Sequence, residues 1–308
     1  MPLTVDVWKK FAPEQLQCGG LGPHLEMMSR IARETFDTRL DRAWFIGCYI
    51  GPYVPSTGYE LWRKFPAPEM VTEYPDELRA WINVNWDGLP VRRGDRRGAC
   101  WPNGLAKLIN SYAKWCINYL DPTGSYESIR DSALEHIDYA GRFTIIKLME
   151  ALYRANVIEC NLDNGIWPAG AQSGPRKALQ QLADDWGGRV QGWDGPDLVS
   201  GDGTEACNRV NRAARWAERL LDGSVPPLSW FELEGLLCDA RQAVKGRYPG
   251  RALDEDLEYA ARTYGYFGSD ADSEWFFEWR EKLFPASSLG EIGGWDGRRR
   301  ELERAWSV

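Results

Sequence analysis

Apolar residues recur along most of this chain at spacings of three and four, the period of a helix with one buried face. Between Gly104 and Leu120 the set is Leu105, Leu108, Ile109, Tyr112, Cys116, Tyr119 and Leu120, and Asp121-Pro122 stops the run. Shorter stripes of the same period run through Leu25, Met28, Ile31, Ala32 and Phe36, and through Ile145, Met149 and Leu152. Further helices are predicted near 176–186 and 208–221. Ser229 followed by Glu232 has the spacing of a capping box, opening a helix through Leu233, Leu236, Leu237, Ala240 and Val244 that Gly246 ends. Asp254 is placed to cap the next helix, and Trp275, Phe276 and Trp279 belong to one more before Pro285. Alternation of the strand kind is confined to Thr4–Trp8 and Trp81–Val84.

These patterns predict a mainly α fold: a single compact multi-helix domain over 1–308, with a core at 40–265, long ordered loops and little or no β-sheet. The loops are expected where glycine and proline cluster, at Gly51–Gly58, Asp87–Gly98, Gly165–Gly174 and Gly187–Gly203. None is of low complexity, and loops held between rigid helices are where sites are usually carried.

Composition narrows the chemistry. No run of about 18 apolar residues is present to span a membrane, and the N-terminus lacks the basic and apolar regions of a secretory signal. Seven cysteines (Cys18, Cys48, Cys100, Cys116, Cys160, Cys207 and Cys238) are odd in number and never form CxxC, which disfavours a disulfide framework or a zinc ribbon and fits a reducing cytoplasm. His24 and His136 are the two histidines, with no partner at a metal-ligand spacing. Nucleotide-binding glycine loops and calcium loops are absent from the sequence. A net charge of -8 and a pI near 5.1 exclude a protein that coats nucleic acid with its whole surface, but leave room for a focused cationic cleft.

Cations do concentrate locally. Arg92, Arg93, Arg96 and Arg97 lie within six residues, just before the best helix. Guanidinium forks match phosphate oxygens, and a following helix N-terminus adds its free N–H groups to the same field. The alternative is a solvated loop partly neutralised by Asp87 and Asp95. A second cluster holds Arg241, Lys245, Arg247 and Arg251, with no acid between the first and the last. Arg241 and Lys245, four apart, share a helix face, and Tyr248-Pro249-Gly250 forms a turn in which Tyr248 can stack on a ring. Its alternative is ordinary pairing with Asp239, Asp254, Glu255 and Asp256.

The segment from Ala43 to Trp62 is crowded with rings and broken by Gly47, Gly51, Pro52 and Pro55. One reading is a pocket in which Tyr49, Tyr53 and Tyr59 sandwich a flipped pyrimidine while Glu60 takes a proton. The other is a helix-turn in which these rings pack on one another. Further along, Gly141 places Arg142 at the start of an apolar helix that carries Lys147. A cation there opposes the helix dipole and calls for an anion or for Asp138.

Taken together, GPYVPSTGYELWRKFP, VRRGDRR before GLAKLINSYAKW, GRFTIIKLMEAL, GPRKAL and LCDARQAVKGRYPGR resemble the phage amino acid:DNA transferases, which are associated with the alpha-glutamyl/putrescinyl thymine pyrophosphorylases. The resemblance runs from about residue 40 to 265. It implies a DNA-modifying enzyme of the host cytoplasm, acting on DNA that contains pyrophosphorylated 5-hydroxymethyluracil. An amine from an amino acid such as glycine, or from a polyamine, would replace the pyrophosphate. With no recognisable metal site in the sequence, no resident cofactor is expected, which leaves open whether Mg2+ enters with the pyrophosphate, and no membrane partner is expected. Under the resemblance, Glu60, Arg96 and Arg247 carry catalysis. Tyr49, Tyr53 and Tyr248 stack, Arg92, Arg93, Arg97, Lys107, Arg241, Lys245 and Arg251 hold DNA or pyrophosphate, and Arg142 or Lys147 clamps the donor carboxylate. The rival expectations are a helical enzyme of the DNA glycosylase kind, although YAGRF lacks that group's hairpin glycines, and a phage structural or interaction protein without enzymatic activity.

Overall fold

In a computed structural model of the 308-residue chain, the residues described are 2–17, 22–91, 101–160, 173–187 and 204–245, together with Leu253, Asp256, Trp275, Glu278, Trp279, Arg280, Lys282 and Leu283. Among them every regular element is helical. In chain order these are α1 (Val5–Gln17), α2 (Pro23–Thr35), α3 (Arg39–Ile50), α4 (Pro55–Lys64), α5 (Pro68–Glu73), α6 (Pro75–Asn85), α7 (Pro102–Asn118), α8 (Tyr126–His136), α9 (Arg142–Arg154), α10 (Ser173–Trp186), α11 (Thr204–Arg219) and α12 (Trp230–Ala243). A 3-10 turn, Trp86–Gly88, extends α6.

Local sequence explains most of the starts. Pro55, Pro68, Pro75 and Pro102 each occupy the first turn of a helix, where a missing N–H costs nothing and a fixed φ favours entry. Thr38 caps α3 by accepting from the Asp41 N–H at 3.1 Å. The predicted capping box of α12 forms: Ser229 Oγ accepts from the Glu232 N–H, and Glu232 Oε2 accepts from the Ser229 N–H at 2.8 Å.

Two short strands expected from alternation are helical instead. Val5, Trp8, Ala12 and Gln15 are buried at helical spacing along α1, so the alternation at Thr4–Trp8 is the first turn of a longer 3.6-residue pattern. In Trp81–Val84 a strand would put Ile82 and Val84 on one face. Ile82 is 0% exposed and Val84 84%, as α6 requires with Leu78 and Ile82 one turn apart on its buried side. The expected loop at 51–58 is likewise short, because Pro55 already begins α4 and Gly58 is helical. The loops expected at 92–98, 165–172 and 188–203, and Asp254, lie outside the described residues.

The chain divides into two compact units, Met1–Pro23 with Leu162–Arg251 and Leu283–Val308, and His24–Asn161 with Ala252–Lys282. In the first, α1, α10, α11 and α12 enclose a core of Trp8, Phe11, Leu179, Leu182, Leu233, Leu236 and Leu237. Distant parts of sequence are tied there by the Val5 N–H donating to Asp185 Oδ2 at 2.8 Å and by the Trp8 indole donating to the Ala217 carbonyl at 2.8 Å. In the second, α3 packs against α4, α7 and α9, while α5 and α6 cover α7. The α3–α7 approach is close enough that a Cβ at Gly47 would lie 1.8 Å from Tyr112 Cε1. Tyr112 is held there by donating its hydroxyl to the Ala43 carbonyl at 2.9 Å.

Candidate functional site

Buried polar side chains gather at the N-terminal end of α4. Its N-cap residue, Val54, has no side chain able to accept from the first free N–H groups. Asp256 does so from 200 residues away. Its Oδ2 accepts the Ser56 N–H at 2.9 Å, and Oδ1 accepts the Ser56 hydroxyl. Burial raises the Asp256 carboxyl from its ordinary value to about 6, against the two Ser56 hydrogen bonds that lower it. One turn on, Glu60 is buried on the same helix face as Ser56, and Arg63 lies 3.5 Å from its carboxylate. Thr57 donates its hydroxyl to the Pro90 carbonyl at 2.6 Å, which pins the chain to α4 two residues before Arg92.

Rings cover this corner. Tyr49, on the last turn of α3, stacks on Tyr53 with centroids 5.5 Å apart, and His24 meets both edge-on at 6.1 and 5.0 Å. Tyr53 has a φ of 56°, in the left-handed region that a non-glycine residue adopts only under constraint. Gly58 lets α4 lie directly on α3, since a Cβ there would be 2.5 Å from Tyr49 Cα. Tyr59 contacts Trp62 and Trp275, and Trp275 contacts Trp279. Tyr49, Tyr53 and Tyr59 are all buried, so in this conformation Tyr49 and Tyr53 turn a face to each other.

The remaining sites expected from sequence fall out as follows. Lys147 is committed to Glu150 at 3.0 Å, within a largely buried charge network in which Arg154 bridges Glu150 and Glu26. Arg142 begins α9 as expected, with Gly141 as its N-cap. Lys107 is exposed on α7. Arg241 is half-buried in the last turn of α12 and Lys245 is exposed beyond it, both in the first unit, whereas Glu60, Tyr49 and Tyr53 belong to the second. Arg92, Arg93, Arg96, Arg97, Arg247, Tyr248 and Arg251 lie outside the described residues. Asp256, named in the alternative reading of the second cationic cluster as one of its acidic partners, accepts from Ser56. Sequence reasoning missed Ser56, Asp256 and His24 as members of one corner.

Burial pushes the Cys48 and Cys116 thiols up, which keeps both protonated and rules them out as ready nucleophiles. Among the described residues no three His, Cys, Asp or Glu side chains are grouped to hold a metal ion, and no helix is long and apolar enough to cross a membrane. The second unit thus defines an α-helical corner that encloses two carboxyl groups among aromatic rings. No protein-family model, no curated protein and no solved structure matches the chain.

Proposed function

We propose that this chain is a DNA-modifying transferase that replaces the pyrophosphate on a 5-pyrophosphomethyl-uracil base with an amine from an amino acid or a polyamine. The observation that carries the reading is the α4 corner: two buried carboxyls, Glu60 and Asp256, among tyrosines, with the chain pinned at Pro90 just before an arginine run. Substitution at the methylene carbon forms a C–N bond and breaks the C–O bond to pyrophosphate. The amine must lose a proton to a base, and the leaving pyrophosphate must be met by cations. Glu60 and Asp256, whose carboxyl is raised to about 6, are the two candidate bases at this corner. Arg92, Arg93, Arg96 and Arg97 are assigned to the pyrophosphate. Tyr49 and Tyr53 form the wall of the site, since each already covers a face of the other.

The reading is tested by incubating the protein with duplex DNA carrying 5-pyrophosphomethyl-uracil and a mixture of amino acids and polyamines, then digesting the DNA and weighing the nucleosides. An aminated thymidine with release of pyrophosphate is expected. Unchanged nucleosides with every amine offered would sink the transferase reading.

A further inference from the structure

The surface of α11 carries a second charge feature that the sequence clusters did not include. Val210, Ala213, Ala214, Trp216 and Ala217 are buried along one side of this helix. Asn208, Arg212, Arg215 and Arg219 fall on the opposite side at successive spacings of four, three and four. Arg215 is fixed in the middle of this row. Its guanidinium donates to Glu218 and to the Leu228 carbonyl, both at 2.7 Å, and lies 4.0 Å from the centre of the Trp230 ring. Glu218 is itself occupied by the Leu228 N–H at 2.7 Å. Arg212 and Arg219, both exposed, have no acidic partner among the described residues.

A solvated helix face in an acidic protein ordinarily mixes signs, so that each cation meets an acid three or four residues away. Here the neighbours of Arg212 at those distances are Asn208, Arg209, Arg215 and Trp216. Arg219 has Arg215 one turn back and Asp222 three residues on, past the end of the helix, so the arginine with no acid at helical spacing is Arg212. Glu218 neutralises Arg215, and Arg212 remains beside it as an exposed cation in a chain whose net charge is -8. Seven residues separate Arg212 from Arg219, a rise of about 10 Å. A row of guanidiniums of that length suits an anion that repeats along a line, and each fork is shaped for phosphate oxygens.

We infer that the outer face of α11 is a docking surface for the phosphodiester backbone of DNA, contacted by Arg212 and Arg219 and braced by Arg215. This rests on the proposal that DNA is the substrate, but it concerns α11 of the first unit, not the α4 corner of the second.

The test measures binding of a fluorescent, unmodified 20-base-pair duplex across a salt series, for the wild type, Arg212→Gln/Arg219→Gln, and a control of equal charge change, Lys9→Gln/Lys114→Gln. Thermal unfolding confirms that all three fold. Each lost phosphate contact lowers the slope of log K against log salt by about 0.9, so the arginine pair is expected to flatten it by roughly 2 and the control by much less. Identical slopes in the three proteins, or an equal loss in both double variants, would overturn the surface. So would a wild type that self-associates through this face, seen as a salt-sensitive dimer that the arginine variant abolishes while DNA binding stays unchanged. The nucleoside assay is read separately, so a working transferase with an unaltered slope rejects the α11 surface alone. Absence of any DNA binding rejects it together with the DNA reading.

Discussion

A carboxyl group that is fully enclosed loses the hydration that stabilises its charge, and two hydrogen bonds from Ser56 do not restore it at Asp256. The sign of the consequence follows from the shift. The unfolded group titrates near its ordinary value of 3.8 and the folded one near 6, so the folded state binds the extra proton between them. Stability from this group is complete below pH 4 and is lost as the pH rises through 6, by up to about 3 kcal/mol for a shift of this size. Asp256→Asn, which keeps the shape and one acceptor, is expected to gain on the wild type between pH 4 and 7 in urea unfolding, and to lose the proposed transferase activity. A difference between the two proteins that stays constant over that range would show that the carboxyl is not raised. None of this was legible in the sequence. Asp256 stands in the acidic run DEDLE, which reads as a solvated surface, and its partner lies 200 residues earlier behind a valine that cannot cap its own helix. Glu60 was legible as a residue beside rings, because Ser56, Tyr59 and Glu60 share one short segment with Tyr49 and Tyr53.

At the level of elements, helix positions could be read because period and punctuation agree: apolar spacing sets the face, and proline, serine or threonine marks the start. The two strand expectations failed where only four or five residues were weighed, too few to separate a period of 2 from one of 3.6. What composition concealed is how closely the helices approach. Gly47 and Gly58 looked like breaks in a ring-rich loop, yet both are helical and each replaces a side chain that could not fit. At Gly47 the obstacle is the Tyr112 ring, fixed by its bond to Ala43; at Gly58 it is the backbone of Tyr49, which has no rotamer to escape into. Gly47→Ala and Gly58→Ala are each expected to destabilise by about 3 kcal/mol or more, beyond the usual range for an overpacked methyl. The gain of about 1 kcal/mol from better helix propensity offsets only part of this. Equilibrium urea unfolding measures it, and a midpoint at or above wild type in either variant would mean that α3 is not packed as described.

For the molecule as a whole, a charge of -8 opposes the approach of DNA, and that opposition is screened beyond about 8 Å at physiological salt. Contacts that overcome it must be short-range and concentrated, which is why four arginines within residues 92–97 weigh more than the overall balance. The proposed chemistry separates two uses of such a cluster. A guanidinium that meets the leaving pyrophosphate acts only as charge develops, so its removal falls on kcat, by about 10²- to 10³-fold for one donor. A guanidinium on the DNA backbone holds ground state and transition state alike, so its removal weakens DNA binding and leaves kcat in place. Arg96→Ala is expected to behave in the first way, with kcat for pyrophosphate release down by at least two orders of magnitude, duplex affinity nearly unchanged and thermal unfolding like that of the wild type. If the variant instead loses affinity and keeps its turnover at saturating DNA, this arginine run serves docking, and the leaving group must be met by other cations. Wild-type kinetics would remove Arg96 from the proposed site altogether.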